Sequence, residues 1–201
     1  MTTLEFNEHP TDPVELLNHW LEEARSGTDL PNPNAMTLAT VDGEGRPSAR
    51  IVLLRGLDDR GAVFFTNYKG RKGRELEGNR HAALVLHWDV LERQVRIEGA
   101  VTRASEEESD AYWSTRPRGS RLGAWASRQS EVIPSRSALQ SELDRFDKEF
   151  EGRDVPRPDH WGGFRVALER VEFWQGQPAR IHDRLLYHRT VDGWRTERLS
   201  P

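Results

Sequence analysis

A chain of 201 residues, 35% hydrophobic and 31% charged, is of a size that one core can fill, and its seven Trp and seven Phe supply large apolar areas to bury. With 29 basic and 33 acidic side chains, the net charge of −4 disfavours a nucleic-acid partner, and the absence of cysteine excludes disulfides, thiolate metal sites and cysteine nucleophiles. No apolar run approaches the ~20 residues of a membrane span and no basic-then-apolar leader opens the chain, so the expectation is a soluble cytoplasmic protein.

Residues 1–11 read as a flexible polar arm and 12–201 as a single domain. Asp12-Pro13-Val14-Glu15 offers an N-cap, a proline at the first helical position and a glutamate three residues after the cap. That predicts a helix with Val14, Leu17, Leu21 and Ala24 on one stripe, Leu16 and Trp20 beside it, and Gly27 as its stop. The period then shortens to two. Residues 36–41, 48–54 and 62–67 read as strands, the last two forming a hairpin across the turn 56–61. A short helix over 70–79, a strand over 81–87 and a strand over 94–102 follow, the last with Val95 and Ile97 on one face and Gln94, Arg96 and Glu98 on the other.

Ser105 with Glu106, Glu107 and Glu108 behind it starts a helix reaching about Thr115, because acids in a first turn suit the helix dipole. A second long helix spans 135–150 with Leu139, Leu143, Phe146 and Phe150 on one stripe; a strand runs over 164–173, and 183–188 pairs with 194–199 around Asp192-Gly193. About seven short strands with helices inserted between them predict a mainly β, antiparallel barrel with helices packed outside. Neither a dinucleotide-binding nor a P-loop glycine motif occurs.

Three groups of residues could carry chemistry. Arg50, Thr66, Arg71 and Lys72 could converge on one phosphate, or could be solvated cations at a helix start. Tyr112 and Arg116 lie four apart on one helix face with Ser120 just beyond it, forming either a second phosphate cup or a C-terminal arginine facing the helix dipole. Arg180, His182 and Arg184 share one side of an extended segment, suited to a flat heteroaromatic ring or to a protected sheet edge. His182 and His188 lack a third ligand for a metal.

From Asp12 to Pro201 the chain resembles the pyridoxine (pyridoxamine) 5′-phosphate oxidase family. The blocks that carry the likeness are Arg50-Ile-Val-Leu-Leu-Arg55, Phe65-Thr66, Arg71-Lys72, Leu91-Glu-Arg-Gln94, Ser114-Thr-Arg-Pro-Arg118, Gly123-Ala-Trp-Ala-Ser-Arg-Gln-Ser130, Trp161-Gly-Gly-Phe-Arg165, Phe173-Trp-Gln-Gly176 and Arg180-Ile-His-Asp-Arg184. The resemblance implies an FMN-binding split β-barrel working as a homodimer, with each flavin between subunits. By the same resemblance, Arg50, Ile51, Leu53, Arg55, Phe65, Thr66, Arg71, Lys72 and Gln94 would hold FMN from one subunit, and Gln129, Ser130, Trp174 and Arg184 from the other.

Arg55, Tyr112, Arg116 and Ser120 would bind the substrate phosphate, and Arg180 and His182 would frame the pyridine ring as the catalytic pair. The implied reaction oxidises pyridoxine or pyridoxamine 5′-phosphate to pyridoxal 5′-phosphate with dioxygen (O2) as acceptor, giving hydrogen peroxide. The family usually has lysine where this chain has Arg55, and its basic N-terminal segment has no counterpart in Met1 to Thr11. The alternatives are a related FMN oxidase of the phenazine-precursor type and a flavin-binding split barrel without turnover.

Overall fold

The computed structural model describes residues 9–201, with ten strands and five α-helices among them. The first helix, α1 (Pro13–Ser26), starts where Asp12 accepts a hydrogen bond from the Val14 amide, and ends at Gly27. It buries Leu16, Leu17, Trp20, Leu21 and Ala24 against the sheet, with Trp20 edge-on to Phe173 at 5.1 Å. Each large apolar side chain buried in this way contributes about 1.5–3 kcal/mol. His9 and Pro10, expected within the loose arm, are tied to the sheet through the Tyr187 hydroxyl, which donates to the Pro10 carbonyl at 2.8 Å. The rest of that arm, residues 1–8, lies outside the described residues.

Strands β1 (Ala35–Val41) and β2 (Pro47–Leu53) form a meander, and β3 (Gly56–Asp58), β4 (Gly61–Asn67), β5 (His81–Trp88) and β6 (Arg93–Arg103) follow, with α2 (Arg71–Gly78) between β4 and β5. After α3 (Glu106–Thr115), α4 (Arg118–Ala126) and α5 (Arg136–Glu149) come β7 (Trp161–Val166), β8 (Arg170–Gln175), β9 (Asp183–Thr190) and β10 (Gly193–Arg198). All pairings are antiparallel, in the order β10-β9-β8-β6-β5-β1-β2, and β6 also passes to β7, which pairs with β4. One long strand thereby belongs to both halves, and the sheet curls into a half-barrel around Leu38, Phe64, Leu84, Ile97, Val166 and Phe173.

Three expectations are corrected. Residues 48–54 and 62–67 are not partners: β2 pairs with β1, and the expected turn contains β3, which makes its own hairpin with β4. The cause is a corner at Leu54 and Arg55, whose consecutive amides donate to Asn34, just before β1, and to Val63 of β4. The expected strand over 164–173 is two strands, because residues 167–169 cross over Gly99, where a Cβ would lie 2.1 Å from the Ala167 carbonyl oxygen. Helix α4 is absent from the expectation, since Gly119 and Gly123 within nine residues argue against a helix and Pro117 offers no side-chain cap. It nevertheless packs with α3, α5 and the start of β7 in a second apolar cluster containing Trp113, Leu122, Phe150, Val155 and Trp161.

Candidate active site

A cavity of about 360 Å³ opens between the β2–β3 corner and this second cluster. Ile51, Leu53, Arg55, Phe65, Thr66 and Lys72 line one part of it; Tyr112, Arg116, Ser120, Gln129 and Trp161 line the other. The corner at Leu54 brings these together, because it lets β2 contribute Ile51 and Leu53 beside Phe65 and Thr66 of β4. Ile51 is 64% exposed, an unusual state for isoleucine, and it stands at the mouth of the cavity.

The first cationic group divides in two. Arg50 Nη2 donates to Glu75 at 3.0 Å and Arg71 Nε donates to the same carboxylate at 2.7 Å. Lys72 Nζ instead donates to Gln129 Oε1 at 2.8 Å and to Thr66 Oγ1 at 3.3 Å. Glu75, whose side chain is only 5% exposed, also accepts from the Thr40 and Ser48 hydroxyls. Burial opposes its ionisation, but hydrogen bonds from Thr40, Ser48, Arg71 and Arg50 outweigh that and hold its carboxyl down at about 2. Burial, and then the charge of Arg50, push the Lys72 ammonium below its ordinary value. Three cations thus face one carboxylate, which leaves charge for an anion. Sequence reasoning missed Glu75, although its place four residues after Arg71 on α2 was a usable signal.

The second cup forms as expected in membership and differs in detail. Arg116 caps the end of α3 and donates through Nη2 to the Ser120 backbone carbonyl at 2.9 Å, so the hydroxyl of Ser120 is not its partner. Arg116 Nη1 is buried without a hydrogen-bond partner among the described residues. Its guanidinium lies over the rings of Trp161 at 4.5 Å and Trp113 at 5.0 Å, and burial followed by the charges of Arg121 and Arg55 disfavours its protonated form despite the favourable contribution of Tyr112. Arg55 sits over the Tyr112 ring at 5.6 Å, with no carboxylate partner among the described residues.

The remaining predicted residues are elsewhere. Gln94, Trp174 and Arg184 form one transverse row through the registers of β6, β8 and β9. Arg184 is held there by Glu172 at 2.9 Å and the Ser200 carbonyl at 2.8 Å. Gln129, expected to reach the flavin from a partner, lies beside Lys72 of its own chain, and Gln94, expected with Arg50, stands opposite Trp174 in the β6–β8 register. Ser130 is exposed with φ 72 and faces a separate groove.

Nor do Arg180, His182 and Arg184 share an extended strand. Arg180 closes a 3-10 turn in which it and Ala179 have φ of 61 and 58, and β9 begins only at Asp183. His182 packs 4.7 Å from Trp174 and accepts at Nδ1 from the Gln177 amide. A neutral His182 therefore carries its proton on Nε2.

The half-barrel and the cationic cavity at its rim define the class of FMN-binding split barrels. Residues 22–148 match the family described as pyridoxamine 5′-phosphate oxidase, and residues 161–201 match the pyridoxine 5′-phosphate oxidase C-terminal dimerisation region. The chain belongs to the pyridoxamine 5′-phosphate oxidase family, whose members are oxidoreductases.

A pyridoxine/pyridoxamine 5′-phosphate oxidase from Rubrobacter xylanophilus is 60% identical over 94% of this chain and 87% of its own length. One from Paraburkholderia phymatum is 54% identical over 99% and 93%. Among solved structures, PhzG from Burkholderia lata 383, in complex with tetrahydrophenazine-1-carboxylic acid, superposes with a TM-score of 0.93 at 33% identity, covering 100% of this chain and 98% of that one. An FMN-binding, pyridoxamine 5′-phosphate oxidase-related protein from Nostoc punctiforme shares the fold at a TM-score of 0.73 and 20% identity, covering 93% and 96%. No helix among the described residues is long and apolar enough to cross a membrane.

Proposed function

We propose that this protein is an FMN-dependent oxidase that converts pyridoxamine 5′-phosphate and pyridoxine 5′-phosphate to pyridoxal 5′-phosphate. The alcohol and one O2 give the aldehyde and hydrogen peroxide; the amine also takes up water and releases ammonia. The observation that carries this reading is Arg116, a half-buried guanidinium whose buried Nη1 has no hydrogen-bond partner, and which no carboxylate holds, among the described residues, in the same cavity as Lys72, Thr66 and Gln129. One cavity with two separate cationic groups suits two phosphates, one on a cofactor and one on a substrate.

The residues fit FMN, because Arg50, Arg71 and Lys72 outnumber Glu75 and can neutralise a phosphate dianion. Bound FMN supplies the hydride acceptor and the route to dioxygen. Everything else is positioning. Lys72, Thr66 and Gln129 of the cavity lining, with Arg50 and Arg71 outside that lining on Glu75, hold the cofactor phosphate; Arg55, Tyr112, Arg116 and Ser120 hold that of the substrate. The row Gln94, Trp174, Arg184, with Arg180 and His182, comes from the second protomer of a homodimer, for Trp174 to Arg184 lie inside the matched dimerisation region and outside this cavity. His182 Nε2–H then offers a donor at the substrate ring, and no side chain need act as a strong base.

The likeness to PhzG favours a second reading, oxidation of a carboxylated phenazine precursor, since Arg116 would pair with a carboxylate as well. Anaerobic titration of the purified yellow protein separates the two. Bleaching by pyridoxamine and pyridoxine 5′-phosphates, and not by unphosphorylated pyridoxine at equal concentration, is expected. Bleaching by tetrahydrophenazine-1-carboxylic acid alone would overturn the first reading.

A further inference from the structure

We propose that Trp161 is a positioning residue for the substrate's anionic end, holding the Arg116 guanidinium by its indole face where a carboxylate would ordinarily do so. The proposal rests on the functional reading above. Other partly buried arginines of this chain are held by acids: Arg50 by Glu75, Arg157 by Glu106 and Asp110, and Arg165 by Asp58 and Glu108. Arg116 is the contrast. Its guanidinium carbon lies 4.5 Å from the Trp161 ring centroid and 5.0 Å from that of Trp113, and its hydrogen-bond acceptor is the neutral Ser120 carbonyl.

The difference matters chemically. A carboxylate would orient the guanidinium but neutralise it and compete with an incoming oxyanion for its N–H edges. A π face attracts the cation through the ring quadrupole, leaves its charge intact and leaves the in-plane N–H groups free. The orphaned Nη1 is such a group.

Trp161 is itself immobilised, as a positioning residue must be. It is 5% exposed, stacks near-parallel to Tyr112 (9°) and Phe65 (11°), and meets Trp113 edge-on at 4.8 Å. Its amide donates to the Pro158 carbonyl, its own carbonyl accepts from Arg157 at 2.9 Å, and its register opposite Asn67 sets it one residue from Thr66. One indole therefore carries Tyr112 and Arg116 together.

The test uses holoenzyme with W161L, W161F, R116A and W161L/R116A, read by KM and kcat for pyridoxamine 5′-phosphate, by pyridoxal 5′-phosphate binding at equilibrium, and by FMN content. W161L is expected to raise KM and the product Kd by roughly tenfold or more, with kcat within about threefold and FMN retained. In the R116A background the same change should add less than about threefold, because the interaction it removes is already gone. Equal effects of W161L in both backgrounds, or loss of kcat and FMN at unchanged KM, would overturn the proposal. If W161L does not accumulate, W161F is read in the same way, with a rise of about threefold that disappears in R116A. A wild-type protein that oxidises no vitamin B6 phosphate overturns the functional reading instead. The proposal is then decided by calorimetric binding of inorganic phosphate, where equal affinity of wild type and W161L would end it.

Discussion

Glu75 gathers Thr40, Ser48, Arg50 and Arg71 on one carboxylate, and its role follows from sign as much as from distance. Its carboxylate holds Arg50 and Arg71 side by side, which costs each some charge but spares both the search for a conformation when an anion arrives. Its carboxyl lies at about 2 against an ordinary value of 4.5, so the folded state favours the ionised form. The stabilisation is complete above about pH 4.5 and is lost as pH falls toward 2, amounting to roughly 3 kcal/mol. Acid unfolding of E75Q should lack that component; identical pH dependence for wild type and E75Q would refute it. Arg55 is the other decisive residue. Over Tyr112 and without a carboxylate partner among the described residues, it can meet a phosphate bidentately, where an ammonium would act as a point charge. R55K should keep kcat/KM within about tenfold, whereas R55A should raise KM far more for pyridoxine 5′-phosphate than for pyridoxine. Equal effects on the two substrates would show that Arg55 does not touch the phosphate.

Two elements build the cavity by changing partners along their length. β6 pairs with β8 through Glu98 and with β7 from Val101, and the handover occurs at Gly99, where residues 167–169 cross closely enough to leave no room for a Cβ. G99A should therefore destabilise the protein by on the order of 2–3 kcal/mol, a fall in Tm of roughly 5–10 °C at this size. An unchanged Tm would mean that the crossover can shift. The second handover, from β2 to β3 at Leu54 and Arg55, leaves Arg50 and Ile51 on β2 and sets Arg55 in the corner before β3. Helix α4 then supplies Ser120 at its first turn and leads into Gln129, so a short helix with two glycines closes the side of the cavity that the strands leave open.

At the scale of the molecule, the cavity holds Lys72, Arg116 and Gln129, while Gln94, Trp174 and Arg184 stand in a separate row. Two protomers complete each site in the proposed dimer, and that makes a complementation test possible. Co-expressed K72A and R184A chains should form a mixed dimer that binds one FMN, with one site carrying both changes and one carrying neither; no recovery above either homodimer would show that both groups serve from the same chain. Local patterns settled much of this protein in advance. The caps at Asp12 and Ser105, the alternation of Val95 and Ile97, the Asp192-Gly193 hairpin and the membership of the Tyr112, Arg116 and Ser120 cup are consequences of neighbouring residues, and they stand in the structure. Which strand pairs with which, the meeting of Gln129 with Lys72 and of Gln94 with Trp174, and the union of Arg50 with Glu75 or Arg116 with Trp161 depend on residues 25 to 45 positions apart or more. No periodicity reports contacts at that separation. They were decided by the two handovers, where steric room at Gly99 and hydrogen-bond direction at Leu54 and Arg55 choose the partner.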